Sequence, residues 1–299
     1  MEVLHQPVLL REVLDIFDPQ PGERYIDATV NGGGHASAIL EKIAPDGRVL
    51  GIDWDAALIE RLRIEGPKIK MRGLEFVCGN YADIGQIAVD NGFQDVHGVL
   101  FDLGFSSYHV DLSGRGFSFL RDEPLDMRYH TAPGSKTAHD LINSLSEDEL
   151  EKIFHTYGDE RFSRRIASAI TKERRVSHIR TTAELVGVIK RALPRGMGRG
   201  KIHPATRIFQ ALRIAVNREW DNIEHGIEGA LRILARDGKV IVISFHSGED
   251  SIVKGVFRRA AGEDRIKILT PRPMRPTVED VRSNPRARSA RLRAAIKIK

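Results

Sequence analysis

Short apolar runs alternate with longer mixed segments through the first third of the chain. Strand-like runs fall at 24–28, 48–53, 74–78 and 96–103, and helical pieces at 36–43, 58–63 and 84–89. This β-α-β rhythm predicts a parallel sheet with helices on both faces. The next run of buried-strand character, Lys239-Val-Ile-Val-Ile-Ser-Phe245, comes about 135 residues after the fourth, far more than a crossover requires. An inserted domain is therefore expected at 109–210, leaving 1–108 and 211–299 as one discontinuous domain. Two further runs, 266–269 and 291–298, would complete a seven-stranded sheet.

The insert reads as helical. Ser146-Glu-Asp-Glu149 and Thr181-Thr-Ala-Glu184 are capping boxes heading amphipathic stretches. Leu150, Ile153, Phe154 and Tyr157 recur on one face of the first. Pro194-Arg-Gly-Met-Gly-Arg-Gly200 is too glycine-rich for regular structure. Pro204 suits the first turn of a helix running through Phe209, Leu212, Val216 and Trp220, and Ile223–Leu234 continues helically to a stop at Gly238.

Composition narrows the class. The 299 residues hold an ordinary globular mixture, with 41% apolar and 29% charged residues and a single cysteine. No stretch approaches a membrane span, the amino-terminal residues lack signal-peptide character, and a disulfide framework is excluded; a reducing cytoplasm is the simplest compartment. The net charge of +5 conceals an asymmetry. Residues 160–201 hold 12 Lys/Arg against 3 Asp/Glu, and residues 257–299 hold 13 against 4, leaving the remainder acidic. Two basic segments on an acidic body suggest a polyanion held at defined places; solvated helix faces are the plain alternative.

The richest local pattern is Asp27-Ala-Thr-Val-Asn-Gly-Gly-Gly-His35 between the first strand and the following helix, with Asp53 closing the second strand. Glycines there let the backbone turn sharply and approach a ligand, and a carboxylate ending the second strand can grip ribose hydroxyls. A dinucleotide fingerprint fails, because Ser37 stands at its third glycine. Asp27 would repel pyrophosphate and attract the sulfonium and ammonium of S-adenosylmethionine. Asp102, ending the fourth strand in Gly98-Val-Leu-Phe-Asp-Leu-Gly-Phe-Ser-Ser107, either accepts a hydrogen bond from a substrate amine or the donor's ammonium, or caps the next segment. Phe117 and Phe119 either stack on an unpaired base or form the insert's core, with Arg115 and Arg128 as phosphate ligands. His246 is open between orienting a substrate, relaying a proton and a structural role. Cys78 is expected to be buried packing, without a basic neighbour to activate it, which disfavours carbon-5 pyrimidine methylation. No metal constellation is evident.

With those residues in view, the chain closely resembles the RsmH (MraW) family of bacterial 16S rRNA cytosine-N4 methyltransferases, nearly end to end. The likeness rests on His5-Gln-Pro-Val-Leu-Leu, Asp27–His35, Asp102-Leu-Gly-Phe-Ser-Ser, Arg115-Gly-Phe-Ser-Phe, Pro124-Leu-Asp-Met-Arg, Phe209–Asn217, Phe245-His-Ser-Gly-Glu-Asp250 and Asn284–Ala290. The resemblance implies a cytoplasmic enzyme with a Rossmann-like class I methyltransferase fold interrupted by a helical domain, using S-adenosylmethionine on the N4 amine of a decoding-centre cytidine. By motif position, Gly33, Gly34 and His35 would contact the donor's methionine part, Asp53 its ribose and Tyr81 its adenine. Asp102 would be both a donor-binding acid and the catalytic residue. Partners would be 16S rRNA in the small subunit or a late assembly form; monomer and homodimer both stay open. Asn31 replaces a usual glycine and is expected to be left-handed or to hydrogen-bond across the loop. Tyr108-His109 replaces Pro-Gln, so His109 stands in for a donor-contacting glutamine, and Gly248 and Ser251 replace a leucine and an arginine. A non-catalytic RNA-binding assembly factor on the same scaffold is the alternative function.

Overall fold

The apolar runs form strands close to their expected limits: β1 (Arg24–Asp27), β2 (Arg48–Asp53), β3 (Leu74–Cys78) and β4 (Val96–Asp102). A computed structural model of the chain describes residues 7–65, 73–104, 113–132, 134–194 and 203–299. The chain divides into two compact units, Met1–Ser106 with Trp220–Lys299, and Ser107–Glu219.

The first unit carries the sheet. β5 (Leu234–Ser244) begins earlier than the apolar run, since Leu234 already pairs with Val96. Asp237, with a positive φ, and Gly238 then shift the register before Lys239 meets Gly98. β6 (Ile266–Ile268) and β7 (Arg291–Lys297) complete a seven-stranded sheet of order β3-β2-β1-β4-β5-β7-β6. β1 to β5 run parallel to one another, whereas β7 is antiparallel to both β5 and β6. This is the mostly parallel, Rossmann-like α/β arrangement expected.

Strand β1 lies between β2 and β4, so the winding reverses there and a crevice opens beyond the strands' carboxyl ends. Helices α1 (Leu10–Phe17), α2 (Gly34–Ile43), α3 (Ala56–Glu65) and α4 (Ile84–Asp90) belong to the crossovers. On one face, Ile26, Leu50, Ile52, Val99 and Phe101 pack against Ile84 and Ala88 of α4 and residues of two later helices, including Ile227 and Phe257. Alternation sends Tyr25 to the opposite face, where its ring meets Phe17 edge-on at 5.1 Å. Gly98 is obligatory there, as a Cβ would lie 2.5 Å from Tyr25 and 2.7 Å from Phe17.

The second unit is helical: α5 (Ala138–Ser144), α6 (Glu147–Gly158), α7 (Ser163–Glu173), α8 (Thr182–Ala192) and α9 (Ala205–Asn217). Both expected capping boxes are present, at Ser146 and Thr181, and Thr137 heads a third. The unit runs to Glu219 rather than to residue 210, because α9 packs along α6. A Cβ at Gly158 would lie 2.6 Å from the Arg207 carbonyl, so this glycine sets how closely the two helices approach. The helix expected to run through Trp220 instead breaks at left-handed Arg218 (φ 51°), and α10 (Glu219–Ile233) follows. In the first unit α11 (Ser247–Gly262) follows β5, and α12 (Val278–Ser283) precedes β7.

Candidate active site

The glycine segment turns because its residues take conformations side chains resist. Val30 N–H donates to Ile52 O at 2.8 Å, Asn31 follows with φ 48°, and Gly33 with φ 77° closes a turn through its N–H to Val30 O at 2.7 Å. α2 then starts at Gly34, where Pro7 approaches closely enough to lie 3.1 Å from a Cβ. Asn31 meets both expectations: it is left-handed, and its side-chain amide donates to Thr29 O (2.9 Å) and Asp102 O (3.4 Å) across the loop. Its φ falls where asparagine pays least among non-glycine residues.

Three carboxylates converge on this loop from the carboxyl ends of β1, β2 and β4. Asp53 accepts from Asn31 N–H at 3.2 Å and Asp55 N–H at 3.0 Å. Asp102 is 3% exposed; its Oδ1 accepts from Gly104 N–H at 3.0 Å, and its own N–H donates to Thr29 Oγ1 at 2.6 Å. Gly104 is required, since a Cβ would sit 2.7 Å from that Oδ1 and 2.8 Å from Phe245. Asp27 is 1% exposed, and its carboxyl is pushed up to about 8, chiefly by burial and further by the charges of Asp102 and Asp53, against the lowering effect of the Thr29 amide. Thr29 is the residue sequence reasoning passed over: it touches both Asp27 and Asp102, and nothing in its spacing announces this.

His35 is buried at 5% exposure with Nε2 donating to Val8 O at 3.0 Å. Burial lowers its pKa to about 4, so the ring is neutral near pH 7 and Nδ1 carries a lone pair. The 3.6 Å approach of that Nδ1 to Asp102 Oδ2 is therefore neither an ion pair nor a hydrogen bond at neutral pH. The imidazole thus ties the glycine loop to the residues before α1, while its amide lies in the first turn of α2. Tyr81 opens an Asn80-capped turn after β3 and sets its ring edge-on at 5.7 Å to Phe101, the residue before Asp102. His109 lies outside the described residues.

Three other candidates find definite places. Cys78 is exposed at the end of edge strand β3, not buried as expected, because nothing in the sequence tells an edge strand from a central one. Its thiol pKa is raised by partial burial and by Asp53 and Asp55, the opposite of activation. His246 takes the structural role: its Nδ1 accepts from Glu249 N–H at 3.3 Å as N-cap of α11, and Glu249 reciprocates by accepting from the Phe245 and His246 amides. In the helical unit, Phe117 stacks on Tyr129 at 5.3 Å, and Phe119 stacks on His203 at 4.7 Å and meets Phe209 edge-on. Arg115 donates to the carbonyls of Arg128 and Tyr129, and Arg128 grips Asp126 with two nitrogens. These residues build the insert's own framework.

A family model described as the MraW methylase family matches residues 2–298. A "Ribosomal RNA small subunit methyltransferase H" from Geobacter sulfurreducens is 47% identical, covering all of both chains. One of the same name from Thermomicrobium roseum is 44% identical over 100% of this chain and 95% of its own. An rRNA methylase structure from Streptococcus thermophilus aligns over 98% of each chain at 8% identity and TM-score 0.44.

Proposed function

The chain belongs to the MraW methylase family, and from that premise we propose that it methylates the N4 amine of a decoding-centre cytidine in 16S rRNA, with S-adenosylmethionine as donor. The observation that carries the reading is the convergence of Asp27, Asp53 and Asp102 on one glycine loop. Three carboxylates in so small a volume favour a ligand bearing a sulfonium and an ammonium and disfavour pyrophosphate. The relatives' shared name supports small-subunit rRNA as the substrate class.

The residues fit the donor. Gly33, Gly34 and His35 would contact its methionine part, Asp53 its ribose hydroxyls and Tyr81 its adenine. Bound here, S-adenosylmethionine supplies an electrophilic methyl carbon. Asp102 accepts a hydrogen bond from the cytosine amine and aims its lone pair, a positioning role that suits a nitrogen target. The amine's proton leaves to water or a neighbouring acceptor. Carbon-5 methylation would instead require a thiolate, and Cys78 is held as a thiol. The helical unit provides the RNA-recognition surface. Among the described residues no helix is long and apolar enough to cross a membrane, in keeping with a cytoplasmic enzyme.

The test is methyl transfer to small ribosomal subunits, followed by mass spectrometry of the modified nucleoside. N4-methylcytidine is expected, and Asp102→Asn should lower turnover by about 100-fold and weaken donor binding as well. A 5-methylcytidine product, or a variant with wild-type turnover and affinity, would overturn the mechanism. No transfer at all would favour a non-catalytic assembly factor.

A further inference from the structure

The basic segment of the helical unit forms a concavity rather than a convex face. A cavity of about 530 Å³ opens beside α7, with Arg161, Arg164, Arg165 and Lys172 around it and Ala169 and Ala192 lining it between them. We infer that this cavity docks the phosphodiester backbone of RNA, an inference that rests on RNA being the substrate class and names where the helical unit grips it.

The spacing places the cations together. Arg165, Ser168 and Lys172 follow one another at intervals of three and four residues, and Arg164 stands four before Ser168, so they share one side of α7, while Arg161 precedes the helix. Arg164 to Lys172 spans about 12 Å along the axis at the usual rise. Three arginines elsewhere in this unit are matched by acids: Arg128 with Asp126, Arg191 with Glu173, Arg213 with Glu219. Among the described residues, Arg164, Arg165 and Lys172 have no ion-pair or hydrogen-bond partner, and all three are exposed. Arg161 lies with its guanidinium carbon 4.8 Å from the Phe162 ring centre, which holds it at the cavity wall.

The single acid lining the cavity does not offset this charge. Glu147 accepts from the Thr171 hydroxyl at 3.0 Å and leaves four cations facing one carboxylate. Like charges gathered around a concavity focus the field on an incoming anion. Guanidinium forks match phosphate oxygens in pairs, and the alanines and Phe162 supply apolar surface against which a sugar or base can rest. A nucleotide-sized volume, an apolar floor and a rim of cations, three of which (Arg164, Arg165 and Lys172) are unmatched among the described residues, together fit a phosphodiester chain.

The experiment compares three full-length proteins: wild type, the triple variant Arg164→Gln/Arg165→Gln/Lys172→Gln, and a charge-matched control, Arg11→Gln/Lys42→Gln/Lys254→Gln. Fluorescence anisotropy with a single-stranded oligouridylate over a range of salt concentrations gives affinity and its salt slope. Each phosphate no longer neutralised should reduce that slope by about 0.7, so the cavity variant should lose about two units and at least tenfold in affinity at low salt. The control should stay near wild type, and all three should melt alike, the substituted side chains being exposed. Arg164→Gln alone, should the triple variant melt early, is expected to lower the slope by about 0.7. Equal losses in cavity variant and control, or an unchanged slope in the cavity variant, overturn the site. Methyl transfer failing while this cavity-dependent binding persists would overturn the proposed reaction and leave the docking site standing.

Discussion

Asp27 offers the sharpest quantitative test of the three-carboxylate site. In the donor-free protein its carboxyl is pushed up to about 8 by burial, with Asp102 and Asp53 adding to the effect. One pH unit below that value the protonated form outweighs the ionised one roughly tenfold, equivalent to about 1.4 kcal/mol. A cationic donor prefers the ionised form, so binding expels a proton, and affinity should climb with pH until Asp27 is already ionised. Asp27→Asn removes the titration while keeping size and polarity. The ratio of wild-type to variant affinity should therefore rise by up to about tenfold per unit from about pH 6 to about pH 8, then level off. Taking the ratio cancels the titration of the donor's own ammonium. Isothermal calorimetry in two buffers of different ionisation enthalpy would count the proton directly. The same shift acts on stability. The folded value lies above the ordinary 3.8, so the contribution is complete below about pH 3.8 and is lost as pH rises through about 8. Donor-free wild type should thus lose stability against Asp27→Asn by about 1.4 kcal/mol per unit across that window. A ratio that stays flat with pH would refute the buried, coupled carboxyl and the charge argument built on it.

Two further outcomes are expected. Asn31→Ala keeps the left-handed backbone while deleting both cross-loop hydrogen bonds, and should lower stability by about 1–3 kcal/mol in chemical denaturation; Asn31→Gly, which relieves the backbone, should lose clearly less, and equal losses would remove strain from the explanation. His246→Asn preserves an N-cap acceptor and should keep wild-type turnover and its pH profile, whereas His246→Ala should destabilise by about 1 kcal/mol; a collapse of turnover in the Asn variant would reinstate proton relay.

The strands were legible because a buried parallel sheet demands near-continuous apolar runs, and β2 and β3 begin and end where those runs do. The glycine loop was legible too, since few residues tolerate its turn. What escaped depended on neighbours distant in sequence. Thr29 meets Asp102 across 73 residues, and the exposure of Cys78 follows from β3 lying at the sheet edge. His246 escaped for a different reason: imidazole lies outside the usual set of N-cap side chains, so its capping box did not register. Phe117 and Phe119 had two plausible destinies by composition, and only their stacking partners, Tyr129 and His203, decide between them.

Strand β7 has a consequence for the order in which the sheet can form. It is the last strand along the chain, yet it sits between β5 and β6 and supplies every ladder bond that β6 makes. Until it arrives, β6 has nothing to pair with and β5 presents a bare flank. The β7-β6 edge of the sheet should therefore close in a single late event. In native-state hydrogen exchange, the amides of β6 and β7 should open together as one cooperative block, distinct from the β3-β2-β1 side.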